Sequence, residues 1–364
     1  MTDARPYLSV VVTSRNDDHG GDLLRRMQIF VDGLLGQCAR HGLDAELVVV
    51  EWNPPPDRPR LAQALRWPAD LPPGRVRIIE VPPGRHRRYR HAEVLPLFQM
   101  IAKNAGIRRA RGRFVLATNV DVLFSDELVR FLAEGRLEPE RMYRIDRHDV
   151  MAGVPSPAGL DEQLAYCRSH LLRINMREGT VRVRPDGGPW PLSPRQALLR
   201  ATRRVAAGAL RAVNEAMGSR DPFYDLLLLH TNGCGDFTLL ARDKWDELRG
   251  YPEFEWFSFH LDSVLCYAAH HGGAVETMLA DPMRIYHIEH DPGSGWTPEG
   301  QAQLFGRLAA RGVPRLSHRT VVDWATQMQE LRAPMVFNRD DWGLAGEELP
   351  EVPAARAQLE MKAR

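Results

Sequence analysis

No C-x-x-C pair occurs in this chain, and its four cysteines (Cys38, Cys167, Cys234 and Cys266) stand far apart. That spacing argues against a zinc ribbon and for buried thiols in a reducing cytoplasm, so the expected location is cytoplasmic. Excess charge is missing too: 48 Lys and Arg against 47 Asp and Glu leave a net charge of +1. Nothing in that balance points to nucleic acid as a partner. No apolar window approaches the ~20 residues of a membrane span, and the first apolar run is too short for a signal segment. Contact with a membrane surface stays open. No G-x-G-x-x-G follows the first apolar strand and no G-x-x-x-x-G-K-[ST] occurs anywhere, which argues against an ordinary dinucleotide fold and a P-loop.

What remains is a chain of 364 residues with 44% hydrophobic and 26% charged residues, enough for a full core. Apolar runs at 7–13, 45–51, 75–81 and 113–118 read as buried strands. Amphipathic helical patterns at 22–40 and 94–110 alternate with them. Continuous apolar strands alternating with such helices predict a mostly parallel α/β sheet covered on both faces. Residues 151–225 read as a mainly helical insertion, with one short strand in "GTVRVRP" and a basic helix at 194–217. That helix is an amphipathic surface, a lid or a dimer contact. Apolar strands and one helix return at 226–295, and 296–364 reads as a helical extension with a polar tail.

In such sheets ligands bind beyond the carboxyl ends of the strands. Three strand ends there carry polar groups: Ser14, Arg15, Asn16 and Asp17 after the first, Glu51 and Asn53 after the second, Asn119 and Asp121 after the fourth. The dense "RHRRYRH" at 85–91, including Arg90, is either a diphosphate clamp or a set of solvated arginines.

"LSVVVTSRND", "LVVVEWN" and "AKNAGIRRARGRFVLATNVDVLF", with "GDFTLLARDKWDELRGYPEF" and "HLDS" further on, resemble a glycosyltransferase of the GT-A fold, similar to glycosyltransferase family 2. The resemblance covers most of residues 7–290. It implies a GT-A-type, Rossmann-like sheet, a nucleoside diphosphate sugar donor and a carbohydrate or other hydroxyl-bearing acceptor. It also implies inversion by direct displacement, with Glu51 at the base and Lys103 and Asn104 in the "AKNAG" helix near the donor. The family's Asp-x-Asp element is here Asn119-Val120-Asp121, so one carboxylate is missing.

Charge builds on a leaving diphosphate, and Mn²⁺ or Mg²⁺ offsets it with only one or two protein carboxylates. Asp121 is the expected ligand. "YHIEHD" offers His287 and His290, since Mn²⁺ accepts imidazole. Strand alternation would turn these two opposite ways, so one reaches the site, with His287 preferred. Asn119 is expected on the donor or on a metal-bound water. For the base that deprotonates the acceptor, Asp262 comes first and Asp236, between glycines 233 and 235, second. A GT-A-like nucleotide-binding module without turnover, and a nucleotidyltransferase, are the alternatives.

Overall fold

The computed structural model describes residues 5–184, 229–290 and 300–354, with scattered positions between 188 and 209. Its strands are β1 (Leu8–Ser14), β2 (Ala45–Trp52), β3 (Val76–Val81), β4 (Phe114–Thr118), β5 (Val122–Phe124), β6 (Arg141–Ile145) and β7 (Arg147–Val150). They continue with β8 (Leu171–Met176), β9 (Gly179–Arg182), β10 (Phe237–Ala241), β11 (Val275–Leu279), β12 (Ile285–Ile288) and β13 (Glu351–Pro353). Eight of them form one sheet in the order β11-β6-β10-β4-β1-β2-β3-β13, and five form a second in the order β5-β12-β7-β8-β9.

The large sheet is mixed, with four parallel and three antiparallel pairings. Strands β3, β2, β1 and β4 run parallel. Strand β10 then lies antiparallel to both β4 and β6, and β13 runs antiparallel along β3. The apolar run of β10 carries no sign of its direction, because a strand buried on both faces reads the same either way.

Alternation within a strand serves two faces at once. Val10 and Val12 of β1 pack with Met27, Phe30, Val31 and Leu34 of the helix Leu23–His41. Val11 points the other way, into a core shared with the helices Gln99–Arg109, Leu261–His271 and His318–Leu331. Each such buried side chain contributes roughly 1.5–3 kcal/mol relative to exposure. The helix Leu23–His41 ends where Gly42 takes a left-handed conformation and its N–H meets the Cys38 carbonyl.

Two features place the functional residues. Strand β4 stops at Thr118, and after the turn Asn119-Val120-Asp121 the chain enters β5 of the second sheet. That turn is therefore a seam between the sheets. The hairpin β8–β9 extends the second sheet from β7; β9 matches the short strand expected in "GTVRVRP", while β8 is strand where the insertion was expected to be helical, after the helix Leu160–Ser169. Most of the basic helix expected at 194–217, with its lid and dimer readings, lies outside the described residues.

Candidate functional site

A cleft of about 890 Å³ opens along the seam. Ser14, Arg15 and Asp17 line it from the end of β1, Asn119 and Asp121 from the seam turn, and His287 and His290 from β12 and beyond. Asp236 and Asp262 line it from the far side. These nine residues, dispersed from 14 to 290 in the sequence, meet in one space.

Pairing register explains the arrangement around Asp121. In β12, His287 lies opposite Val122 of β5 on one side and Asp149 of β7 on the other. Asp149 in turn lies opposite Arg173 of β8. One sheet face thus presents Arg147, Asp149, Arg173 and His287 together. His287 Nδ1 is 3.3 Å from Asp149 Oδ1, and its Nε2 is 3.8 Å from Asp121 Oδ2. The ring is held between two carboxylates, with one nitrogen for each.

His290 Nε2 is 3.3 Å from the same Asp121 oxygen. The expectation that only one histidine reaches the site is therefore corrected. Strand β12 ends at Ile288, so the alternation rule does not carry to His290. Asp121, His287 and His290 place ligand atoms within 4.8 Å of one another, as a metal site requires. The other oxygen of Asp121, Oδ1, is buried and has no hydrogen-bond partner among the described residues. A buried carboxylate oxygen left unmatched beside two imidazoles fits a hard or borderline cation such as Mn²⁺. Burial alone would raise the Asp121 carboxyl, but His287, His290 and Arg26 more than offset it and hold it below the ordinary range. For His287, burial and then Arg147 push the imidazole down, while Asp121 and Asp149 push harder the other way and leave it raised.

A second set, Asp149, His287 and Glu289, also clusters. There the carboxylates already have cations. Asp149 faces Arg147 Nε at 2.8 Å, pairs with Arg173 and accepts from Asn175 at 3.1 Å, and Glu289 pairs with Arg173 at 2.8 Å. Each of these carboxylates therefore already has an arginine partner, although Arg147 also serves Asp236.

The two candidate bases differ in their partners. One oxygen of Asp236 takes a 2.6 Å ion pair from Arg147, and the other accepts from the Asn119 amide. Asp262 sits in the first turn of the helix Leu261–His271, and its Oδ1 accepts the Ser263 N–H at 2.9 Å. Its Oδ2 faces Gly235, where a Cβ would come within 2.9 Å. The residue before that helix, His260, holds a left-handed φ of 67°, a region in which histidine is enriched.

Lys103 lies beneath this floor. Fully buried, its Nζ donates to the Gly235 carbonyl at 2.6 Å. Burial pushes the ammonium down to about 8, against the pull of Asp236, Asp262 and Asp121. It is the internal counter-charge to three cleft acids rather than part of the lining. Arg144, also buried, donates to the His230 and Cys234 carbonyls and so fixes the turn that carries Asp236.

Several expected residues do not line the cleft. Asn104 is buried with its amide spent on the Tyr251 backbone and Glu253. Asn16 donates to the Pro59 carbonyl, and Asn53 to that of Pro96. Both oxygens of Glu51 accept the Leu61 N–H. In the basic cluster, Arg85 pairs with Glu347 and Arg90 with Glu255, so these arginines tie down loops. Arg147, Asp149 and Arg173 went unnoticed in the sequence. The only local signal was the alternation in "RHDV", which puts Arg147 and Asp149 on one face.

No helix among the described residues is long and apolar enough to cross a membrane, and all four cysteines are free. A scan against models of known protein families finds no match, and a search among curated proteins finds none either.

Proposed function

We propose that the chain is a metal-dependent glycosyltransferase of GT-A type that moves a sugar from a nucleoside diphosphate to an acceptor hydroxyl. One observation carries the reading: Asp121 Oδ1, buried and without a partner among the described residues, beside His287 and His290 at a sheet seam. Parallel β3-β2-β1-β4 followed by an antiparallel β10 supports the GT-A assignment, as does the resemblance of the strand-end motifs. Asp121, His287 and His290 would hold Mn²⁺ or Mg²⁺, which when bound offsets charge on the departing diphosphate.

The chain's own residues supply the rest. In direct displacement the acceptor oxygen bonds to the anomeric carbon as the bond from that carbon to the diphosphate oxygen breaks. The hydroxyl proton must leave, and Asp262 Oδ2 is the carboxylate oxygen placed to take it. Asp236 is less suited, because Arg147 and Asn119 already occupy both its oxygens. Asn119, bridging Gln99 and Asp236, replaces the family's first acid with a neutral strut, and Asp121 is left as the one carboxylate at the metal. His287 is oriented by Asp149, as ligand imidazoles commonly are by a carboxylate behind them. We place the reaction in the cytoplasm, in keeping with four free thiols.

The test is a screen of nucleotide sugars for transfer and hydrolysis with and without Mn²⁺. Turnover should require metal, fall by 10²-fold or more in Asp262→Asn, on the order expected for a lost general base, and vanish in Asp121→Ala. Turnover indifferent to metal and to Asp121→Ala would sink the proposal. Nucleotide binding without turnover of any donor would favour the inactive binding module.

A further inference from the structure

Residues 301–322 contain no Asp or Glu, yet carry Arg307, Arg311, Arg315, His318 and Arg319. The stretch comprises the helix Gln301–Ala310, a turn and the start of the helix His318–Leu331. Arg307, Arg311 and His318 line the same cleft as Asp121 and Asp262. Elsewhere the arginines around this cleft are neutralised: Arg147 by Asp149 and Asp236, Arg173 by Asp149 and Glu289, and Arg177 by Glu276. Among the described residues, no carboxylate lies within ion-pair distance of Arg311 or Arg315.

This cationic rim adjoins the candidate base rather than the metal ligands. The His318 ring lies 5.8 Å from that of His260, two residues before Asp262. Arg315 stacks 3.7 Å above the Phe305 ring, which meets Phe259 edge-on at 5.0 Å. Phe259 and Leu308 also line the cleft. The base thus borders a wall that is aromatic, apolar and positively charged. Unpaired guanidiniums beside a binding space suit a phosphate, whose oxygens match their paired N–H groups.

We propose that this rim is the acceptor subsite, and that the acceptor carries a phosphate group close to the hydroxyl that is glycosylated. The inference rests on the glycosyltransferase reading for the word acceptor, but not for the anion site itself. Arg311, in the cleft lining, receives the phosphate. Arg315, stacked on Phe305 outside that lining, adds positive charge, and Phe259 with Phe305 beside it flanks the body of the acceptor. The phosphate stays chemically unchanged, so the step remains the displacement described above, with the hydroxyl proton passing to Asp262.

Two phosphate sources share this chemistry, a soluble sugar phosphate and a phospholipid headgroup. Calorimetry with glucose 6-phosphate, and sedimentation with vesicles of phosphatidylglycerol in phosphatidylcholine, distinguish them. At least one should bind the intact chain in a salt-sensitive way, while glucose and pure phosphatidylcholine vesicles should not. The double variant Arg311→Gln/Arg315→Gln should weaken that binding at least tenfold. Arg136→Gln, an exposed arginine outside the cleft, should leave it unchanged. The thermal shift caused by a nucleotide sugar with Mn²⁺ should be the same in the double variant as in wild type, which also verifies its folding. Equal binding of glucose, equal binding by the double variant, or no binding of either phosphate probe would overturn the proposal. If no nucleotide sugar shifts the wild type, the donor reading fails while the phosphate arms still report on the rim.

Discussion

Glu51, next to last in β2, has its carboxylate sealed under the Leu61 N–H, and burial, reinforced by Glu80, pushes it from 4.5 up to about 7. A carboxyl raised in the folded state stabilises the fold while protonated. That contribution is full below pH 4.5, falls as the unfolded chain ionises first, and is gone above about pH 7. The shift corresponds to something on the order of 3 kcal/mol. Glu51→Gln should therefore melt close to wild type at pH 4 and above it at pH 8. A melting difference that stays constant across that range would contradict the assignment. Gly235 allows a sharper test of the base. A Cβ there meets no backbone, only the Asp262 carboxylate. Gly235→Ala should keep its melting temperature within a degree or two, because a side-chain terminus can swing aside. The displaced carboxylate should cost about 100-fold in turnover, the scale of an ångström's misplacement. Loss of stability with full activity would show that Asp262 Oδ2 is not the base.

The helix Gln99–Arg109 lies on the sheet through Gly106, whose missing Cβ would fall 2.5 Å from Val11 and 2.9 Å from Val50. Both valines are stiff at χ1, so the helix must lift instead. Gly106→Ala should cost roughly 1–3 kcal/mol in urea unfolding, an overpacking penalty, and move Lys103 off the Gly235 carbonyl. At this scale much was legible in advance. The strands β1, β2, β3 and β4 and the helix Leu23–His41 follow their apolar runs and periodicity because local pattern and burial agree. The placement of Asp121 beyond β4 followed from the strand-end rule. Other features were hidden for physical reasons. The direction of β10 depends on long-range pairing, and β8 is a half-exposed strand with Arg173 and Asn175 on one face, whereas its partner β9 matches the short strand read in "GTVRVRP". His290 is a candidate from the sequence, but its joining His287 is not legible there, because a period-2 argument fails past a strand's end, and His290 lies two residues beyond Ile288. Arg147, Asp149 and Arg173 are assembled by register between three strands, which no single segment encodes.

Across the whole molecule, the chain's end is tied back to its beginning. Strand β13 caps the open edge of β3, with the Glu80 N–H donating to Pro350 and Arg77 making two hydrogen bonds to Glu351. Arg77 is buried and also reaches Glu46, so a single cation bridges β2, β3 and β13. Further in, Arg109 donates to the carbonyls of Gly343, Leu344 and Glu347, which clamps the tail onto the helix that carries Lys103. A chain stopped after Glu348 keeps the second clamp and loses the first. It should expose the β3 edge, a template for pairing with another copy, and leave Arg77 with Glu46 alone. The expected result is a melting temperature several degrees lower and self-association that grows with concentration in sedimentation velocity. Removing one partner of a buried pair costs up to about 3–5 kcal/mol, less here because Glu46 remains. Glu351→Gln in the full chain isolates the charge from the strand. It should reproduce part of the melting loss without the self-association, since the edge stays covered. If the point variant aggregates as the truncation does, the edge is not what β13 protects. Metal-dependent donor binding should survive in both, because the Asp121, His287 and His290 cluster belongs to the other sheet and its seam.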